Sequence, residues 1–214
     1  MVDRHRLLDV GLGSVLLVVS APVQLIALVV SAVVYRASPW YVQTRIGRGG
    51  RPFRMSKVRS LPADTPDDAD KYSIESVTNH PWGRWIRARH LDELPQLWSV
   101  VSGSMALVGP RPEMGRLAGE FAAEFAAERT TVRPGCTGLW QVSSASVGLI
   151  GEHPEYDLHY VRHRTLRLDL WILFVTLQAA ATRRSIAGLH EIPRWTGASS
   201  DMSNHLRSPD RTHG

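Results

Sequence analysis

Between Val10 and Tyr35 the chain carries no ionisable side chain apart from Tyr35 itself, a run of 26 residues. As one straight helix that run is roughly 39 Å long, more than the ~30 Å hydrocarbon core of a bilayer demands. It exceeds the apolar stretch of a secretory leader, and no small-x-small site leads from it into a polar start. Pro22, near its middle, deletes a backbone donor and clashes with the preceding turn. Each half alone, about 18 Å, is too short to cross. Basic residues flank both ends, Arg4 and Arg6 before it and Arg36, Arg45 and Arg48 after it. Positive charge marks the cytoplasmic side, so both ends favour that side. Spanning helices also tolerate proline, so the residues alone leave a spanning and a re-entrant helix both open.

The rest of the 214 residues is neither disordered nor a series of membrane spans, with 21% charged and 43% hydrophobic residues overall. Beyond the apolar run the length suits one ordinary domain. Of the 25 basic residues only Lys57 and Lys71 are lysines, leaving 23 arginines in a chain of net charge +5. The guanidinium fork suits phosphate and carboxylate, although a GC-rich genome would also replace Lys by Arg. Cys136 is the only cysteine. That excludes an internal disulfide framework and a cysteine-held zinc or iron–sulfur site.

Residues 36–59 hold seven basic groups and no acidic one, a block suited to anionic headgroups. Within it, 43–50 reads as a strand meeting a Gly-rich turn and 52–57 as a returning strand, hence a small hairpin. Residues 61–70, with four aspartates and two prolines, read as a solvated acidic loop. Trp82–Arg89 has helical character. Leu91–Val101 predicts a second helix with Leu94, Leu97, Trp98 and Val101 as its apolar stripe, and 112–129 predicts a third. Leu170–Ala181 is apolar but too short to span, and reads as a core or interfacial helix. The tail from Gly197 has almost nothing to bury and is expected to be disordered.

Asp92-Glu93 stands where the second helix opens, with Pro95 in its first turn. An aspartate N-cap, an acidic first turn and a tolerated proline all suit a plain helix start. Two adjacent carboxylates can equally divide labour, one as nucleophile and one as ligand for a hard divalent cation. Val108-Gly109-Pro110-Arg111-Pro112 holds one guanidinium between rigid residues. Arg133-Pro134-Gly135-Cys136-Thr137-Gly138-Leu139-Trp140-Gln141 repeats the design, and such a loop can cradle phosphate oxygens.

Taken in order, Leu91-Asp92-Glu93-Leu94-Pro95-Gln96-Leu97-Trp98, Leu107 to Pro112 and Arg133 to Gln141 closely resemble the bacterial sugar transferases, the monotopic phosphoglycosyl transferases. Gln43, Arg45, Gly47, Gly50 and Phe53 resemble the family's Q-x-R-x-G-x-x-G-x-x-F stretch, and Lys57, Arg59 and Ser60 its K-x-R-S. Asp157, Tyr160 and Asp169 continue the likeness, which covers roughly residues 7–190.

The resemblance implies a mostly α fold with a small β-hairpin (α+β). A membrane helix over 1–36, re-entrant and broken at Pro22, would precede a cytosolic catalytic domain over 37–196 with interfacial helices, and then the tail over 197–214. It implies transfer of a sugar 1-phosphate from a UDP-sugar to a polyprenyl phosphate at the cytoplasmic face of the inner membrane, initiating exopolysaccharide or glycan synthesis. Asp92 would be the nucleophile and Glu93 the Mg²⁺ ligand. Lys57, Arg59, Arg87, Arg111, Arg133, Thr137, Gln141 and Asp157 would bind substrate. The partners would be the two substrates and membrane lipids, not nucleic acid; a homodimer is left open. The alternatives are an inactive membrane-tethered scaffold of the same fold and an exported nucleotide phosphatase.

The chain departs from the family pattern at Ser20-Ala21-Pro22, where Ser usually abuts the proline, at Ser99 for Asn and at Ser104 for Asp. It departs again at Ser144-Ala145, where Gly-Arg is common. With no multi-helix region ahead of the anchor, the minimal catalytic form is expected.

Overall fold

The computed structural model describes residues 3–65, 80–182, 185–186 and 188–198. Residues 66–70 of the expected acidic loop and 199–214 of the expected tail lie outside the described residues.

The apolar run forms one helix, α1 (Arg4–Tyr35), roughly 48 Å long at 1.5 Å per residue. The Asp3 carboxylate caps it by accepting from the His5 N–H. The helix continues across Pro22, where the family resemblance implied a break. Ser20, two residues ahead of the proline, donates its hydroxyl to the Leu16 carbonyl at 2.6 Å and accepts from Gln24 Nε2 at 2.8 Å. This is the ordinary back-bond of a helical serine to the preceding turn, which leaves the Val18 carbonyl, the one that Pro22 deprives of its donor, untouched by Ser20.

Both halves of α1 lie against the same body. Arg6 donates to the carbonyls of Val100 and Val101, and Asp9 accepts from the Leu107 N–H at 2.9 Å. Toward the other end Ala27 is buried, Ser31 accepts from Trp82 Nε1 at 2.9 Å, and the Tyr35 hydroxyl donates to the Ser60 carbonyl at 2.8 Å. Val18, Val19, Leu25, Ile26 and Val33 are exposed. Arg6, counted above as a flanking positive charge, thus caps the carbonyl end of another helix instead.

The hairpin pairs β1 (Trp40–Ile46) with β2 (Pro52–Val58), Tyr41 opposite Lys57, Gln43 opposite Met55 and Arg45 opposite Phe53. Its turn needs left-handed backbone at Gly49 and Gly50, with φ of 66° and 71°. Next come α2 (Pro81–Ala88), the 3₁₀ turn Leu91–Glu93 and α3 (Gln96–Ser102). The expected second helix is thus shorter, because Pro95 splits the 3₁₀ turn from the α-helix. Its stripe also differs: Val100 is fully buried against α1, whereas Trp98 is 67% exposed.

The short strands β3 (Ala106–Val108) and β4 (Gly135–Thr137) run parallel, Ala106 beside Gly135 and Val108 beside Thr137. The predicted third helix is two pieces, α4 (Gly115–Ala118) and α5 (Ala123–Arg129). Its first residues are drawn out because the Glu113 carbonyl accepts from the Ile46 N–H at 2.9 Å. Gly119, a weak helix former, sits at the interruption.

Two helices finish the body, α6 (Pro154–Arg162) and α7 (Leu166–Thr182). Alpha7 contains the predicted 170–181 helix and is a core helix with one exposed apolar face. Leu168, Trp171, Ile172 and Val175 enter the core with Val100, Met105, Leu107, Leu139 and Tyr160. Leu170, Phe174 and Leu177, at i, i+4, i+7 spacing, are exposed. The chain stays packed to Ala198, which is fully buried, two residues past the expected boundary at 196.

Candidate active site

The 3₁₀ turn that carries Asp92 and Glu93 follows His90, held in left-handed backbone at φ 55°. The α-helix proper begins only at Gln96, and no side chain caps it. Asp92 is therefore not spent as a helix cap, although its spacing allowed that reading.

Asp92 is 6% exposed and faces a cavity of about 1520 Å³ that Glu93 also lines. The two carboxyls are pushed apart electrostatically. Burial, and then the charge of Glu93, raises Asp92 above the ordinary aspartate range. Burial opposes ionisation of Glu93, but Lys57 and then Arg111 overcome it and hold that carboxyl low. Lys57 Nζ lies 2.6 Å from Glu93 Oε1. One carboxylate is thus held ionised while its neighbour is the more basic of the two, a difference set by environment.

The hairpin supplies one wall. Tyr41, Gln43, Arg45 and Lys57 share its inner face, because cross-strand partners and alternate residues point the same way. Arg45 is 9% exposed and donates to Gln43 Oε1 and to the Pro112 carbonyl. Glu113 lies 3.8 Å from both Arg45 and Arg111. Two guanidiniums therefore share one carboxylate, which leaves positive charge beside the dyad.

Of the expected substrate ligands, Lys57, Arg59, Arg87, Arg111, Thr137 and Gln141 line the cavity. Arg59 donates to the carbonyls of Ser38 and Trp40, which fixes its guanidinium at the rim. Thr137 Oγ1 is 2.8 Å from Thr176 Oγ1, and Gln141 donates to the Cys136 carbonyl. Arg133 and Asp157 are not among the described lining residues. Arg133 sits 3.9 Å from Asp3, and Asp157 is buried in a pair with Arg129 at 2.8 Å. Arg129 also donates to the Arg111 carbonyl at 2.8 Å, so Asp157 supports the chain that carries Arg111 from behind.

The glycines of the two rigid loops serve packing. A Cβ on Gly135 would lie 2.1 Å from Gly109 N, and one on Gly138 would lie 2.1 Å from the Gly109 carbonyl. The loops interlock backbone to backbone, which fixes the loop from Gly135 to Gln141 while Thr137 and Gln141 face the cavity. In the sequence Arg45 stands out only as a flanking positive charge and as part of a motif, and Glu113 and Arg129 carry no signal of their own. Strand alternation from Lys57 back through Gln43 was the signal that could have found Arg45.

Among the described residues no three His, Cys, Asp or Glu side chains are grouped as a metal cage. Mg²⁺ does not need one. It binds through one or two carboxylates, with water and substrate phosphate completing the shell. The paired oxygens of Asp92 and Glu93 fit that donor set.

A family model described as bacterial sugar transferase matches residues 3–183. The chain is 32% identical over 183 residues to a UDP-glucose:undecaprenyl-phosphate glucose-1-phosphate transferase of Klebsiella pneumoniae, covering 80% of this chain and 39% of that protein. It is 32% identical over 150 residues to a UDP-N-acetylgalactosamine-undecaprenyl-phosphate N-acetylgalactosaminephosphotransferase of Aeromonas hydrophila, covering 66% and 35%. An uncharacterized sugar transferase of Bacillus subtilis, EpsL, is 31% identical over 201 residues, covering 93% and 98%. The chain thus spans little more than a third of the Klebsiella and Aeromonas proteins. With the match running from the start of α1 to the end of α7, the chain belongs to the bacterial sugar transferase family.

Proposed function

We propose that the protein transfers a sugar 1-phosphate from a UDP-sugar to a polyprenyl phosphate through a covalent phosphosugar on Asp92. The carrying observation is the dyad itself, a buried Asp92 carboxyl that caps no helix, beside Glu93, which pairs with Lys57 at 2.6 Å, both facing one cavity. The names of the relatives, which act on UDP-sugars and undecaprenyl phosphate, support the substrate classes.

In the first step an Asp92 Oδ attacks the β-phosphorus of the UDP-sugar, the bond to the bridging oxygen breaks, and UMP leaves with that electron pair. In the second, a polyprenyl phosphate oxygen attacks the same phosphorus and Asp92 departs as carboxylate, so the chain ends unchanged. Splitting the reaction keeps the two anionic substrates from needing the site together. Arg45 and Arg111 stabilise the charge that gathers on the diphosphate, and Lys57 keeps Glu93 ionised. Glu93, with Asp92 beside it, would hold Mg²⁺, which when bound offsets phosphate charge.

The reading includes a re-entrant α1 and a cytoplasmic catalytic body at the inner membrane. Contacts of Arg6 and Tyr35, near opposite ends of α1, with one body favour that geometry. Lipid-carried acceptor then meets soluble donor at headgroup depth.

The test is UMP release from a panel of UDP-sugars with polyprenyl phosphate and Mg²⁺. The intact protein should release UMP, and Asp92→Asn should not. With donor alone, intact-mass spectrometry should find one phosphosugar on the chain, mapped to Asp92. If release of UMP strictly requires acceptor, the covalent route is wrong; if no UDP-sugar is consumed, the scaffold reading replaces it.

A further inference from the structure

The family match ends at residue 183, yet the chain remains packed beyond it. The Ile186 N–H donates to the Val142 carbonyl at 2.9 Å, and the Ser144 N–H donates to the Ile186 carbonyl at 2.8 Å. Together they form a parallel bridge opposite Ser143. Ser143 is fully buried, its hydroxyl given to the Trp140 carbonyl at 2.7 Å. The stretch so gripped is cavity wall, since Trp140, Gln141, Val142 and Ser146 all line it.

The far end of the segment is anchored as well. The Thr165 hydroxyl donates to the Thr196 carbonyl at 2.7 Å, and His159 Nε2 donates to the Ala198 carbonyl at 2.6 Å. Ile186, Ile192 and Ala198 are buried in the main core. One end therefore holds α6 and α7 while the other holds the wall. Between Ser143 and Gly148 that wall has one 3₁₀ turn and no charged side chain. It cannot attract an anionic donor by charge, so its contribution rests on being held in shape before the ligand arrives.

We infer that Ile186, together with the packed residues 188–198, clips the Trp140–Ser146 wall of the cavity, with Ile186 as its positioning residue. Its effect on donor binding rests on the phosphoglycosyl transfer reading above; its effect on the wall does not. The backbone pair at Ile186 holds the wall against the core, so a ligand seated on the wall and the Ile186 bridge stabilise each other.

The experiment compares full-length wild type, Ile186→Pro, which lacks the N–H, and Ile186→Val, which keeps it. Amide exchange at Val142–Ser146 should quicken about tenfold in Ile186→Pro and stay near wild type in Ile186→Val. KM for whichever UDP-sugar is consumed should rise about fivefold in Ile186→Pro with kcat within about twofold. Unchanged wall exchange, an unchanged KM, or a fall in kcat alone would overturn the clip. Should Ile186→Pro not fold, Asp92→Asn with saturating UDP-sugar decides. The Ile186 amide must then be protected together with the wall amides, and protection of the wall alone refutes the inference. If no UDP-sugar is consumed or protects any amide, the transfer reading fails, and the exchange comparison of the Ile186 variants still judges the clip.

Discussion

Lys57 illustrates how a single side chain changes meaning once its neighbours are placed. The resemblance makes it a substrate ligand, and it does line the cavity; there it also sits 2.6 Å from Glu93 in a pair largely withdrawn from water. Removing it by Lys57→Met leaves the Glu93 carboxylate shielded without its cation, which should cost about 1–3 kcal/mol of stability in a denaturant melt. Adding Glu93→Gln to that variant should restore most of the stability and none of the UMP release. A double variant as unstable as the single one would show that Lys57 acts through contacts other than Glu93. Asp157 and Arg129 make the same point from outside the cavity. Their buried pair, 2.8 Å apart, supports Arg111 through its backbone and touches no cavity surface among the described lining residues.

Alpha1 is the element whose role depends most on what lies beside it. Gly13 lets it approach α3, since a Cβ there would lie 3.1 Å from Val100 Cγ1. Val100 is fully buried and cannot swing away. Gly13→Leu should therefore force the helices apart, lowering stability by about 1–3 kcal/mol in a detergent-solubilised thermal melt. It should also weaken the contacts of Arg6 and Asp9, which lie about two turns and one turn earlier. Gly11, which has open space around it, is the control, and Gly11→Ala should change little. Equal loss from both would mean that α1 is not seated on α3 as described.

At the scale of the whole molecule, apolar surface continues beyond α1. Leu170, Phe174 and Leu177 of α7 are 52%, 63% and 71% exposed. Exposed apolar side chains aligned on a helix favour the headgroup–acyl boundary. Phe174→Glu should loosen a chain already held by α1, so the measurement is depth rather than attachment. Quenching of tryptophan fluorescence by brominated lipid should fall by about half, while the melting temperature stays within about 2 °C of wild type because nothing in the core is disturbed. A quenching profile unmoved by the substitution would place that face in water or against another protein.

The sequence by itself determined the hairpin, α2, the apolar run and the dyad, because those features are local. Strand alternation, glycine in a left-handed turn and two carboxylates side by side keep their meaning without knowledge of what packs on them. It did not determine the break at Gly119, the exposure of Trp98 or the uses of Arg6, Arg133 and Asp157. A long cationic side chain can serve substrate, a helix terminus or a buried carboxylate with equal chemical fitness. Which it serves depends on residues far along the chain, 94 positions for Arg6 at Val100 and 28 for Arg129 at Asp157. Only the tertiary structure brings those groups within hydrogen-bond distance. Local sequence carries the chemistry available to each residue, and long-range packing decides where it is spent.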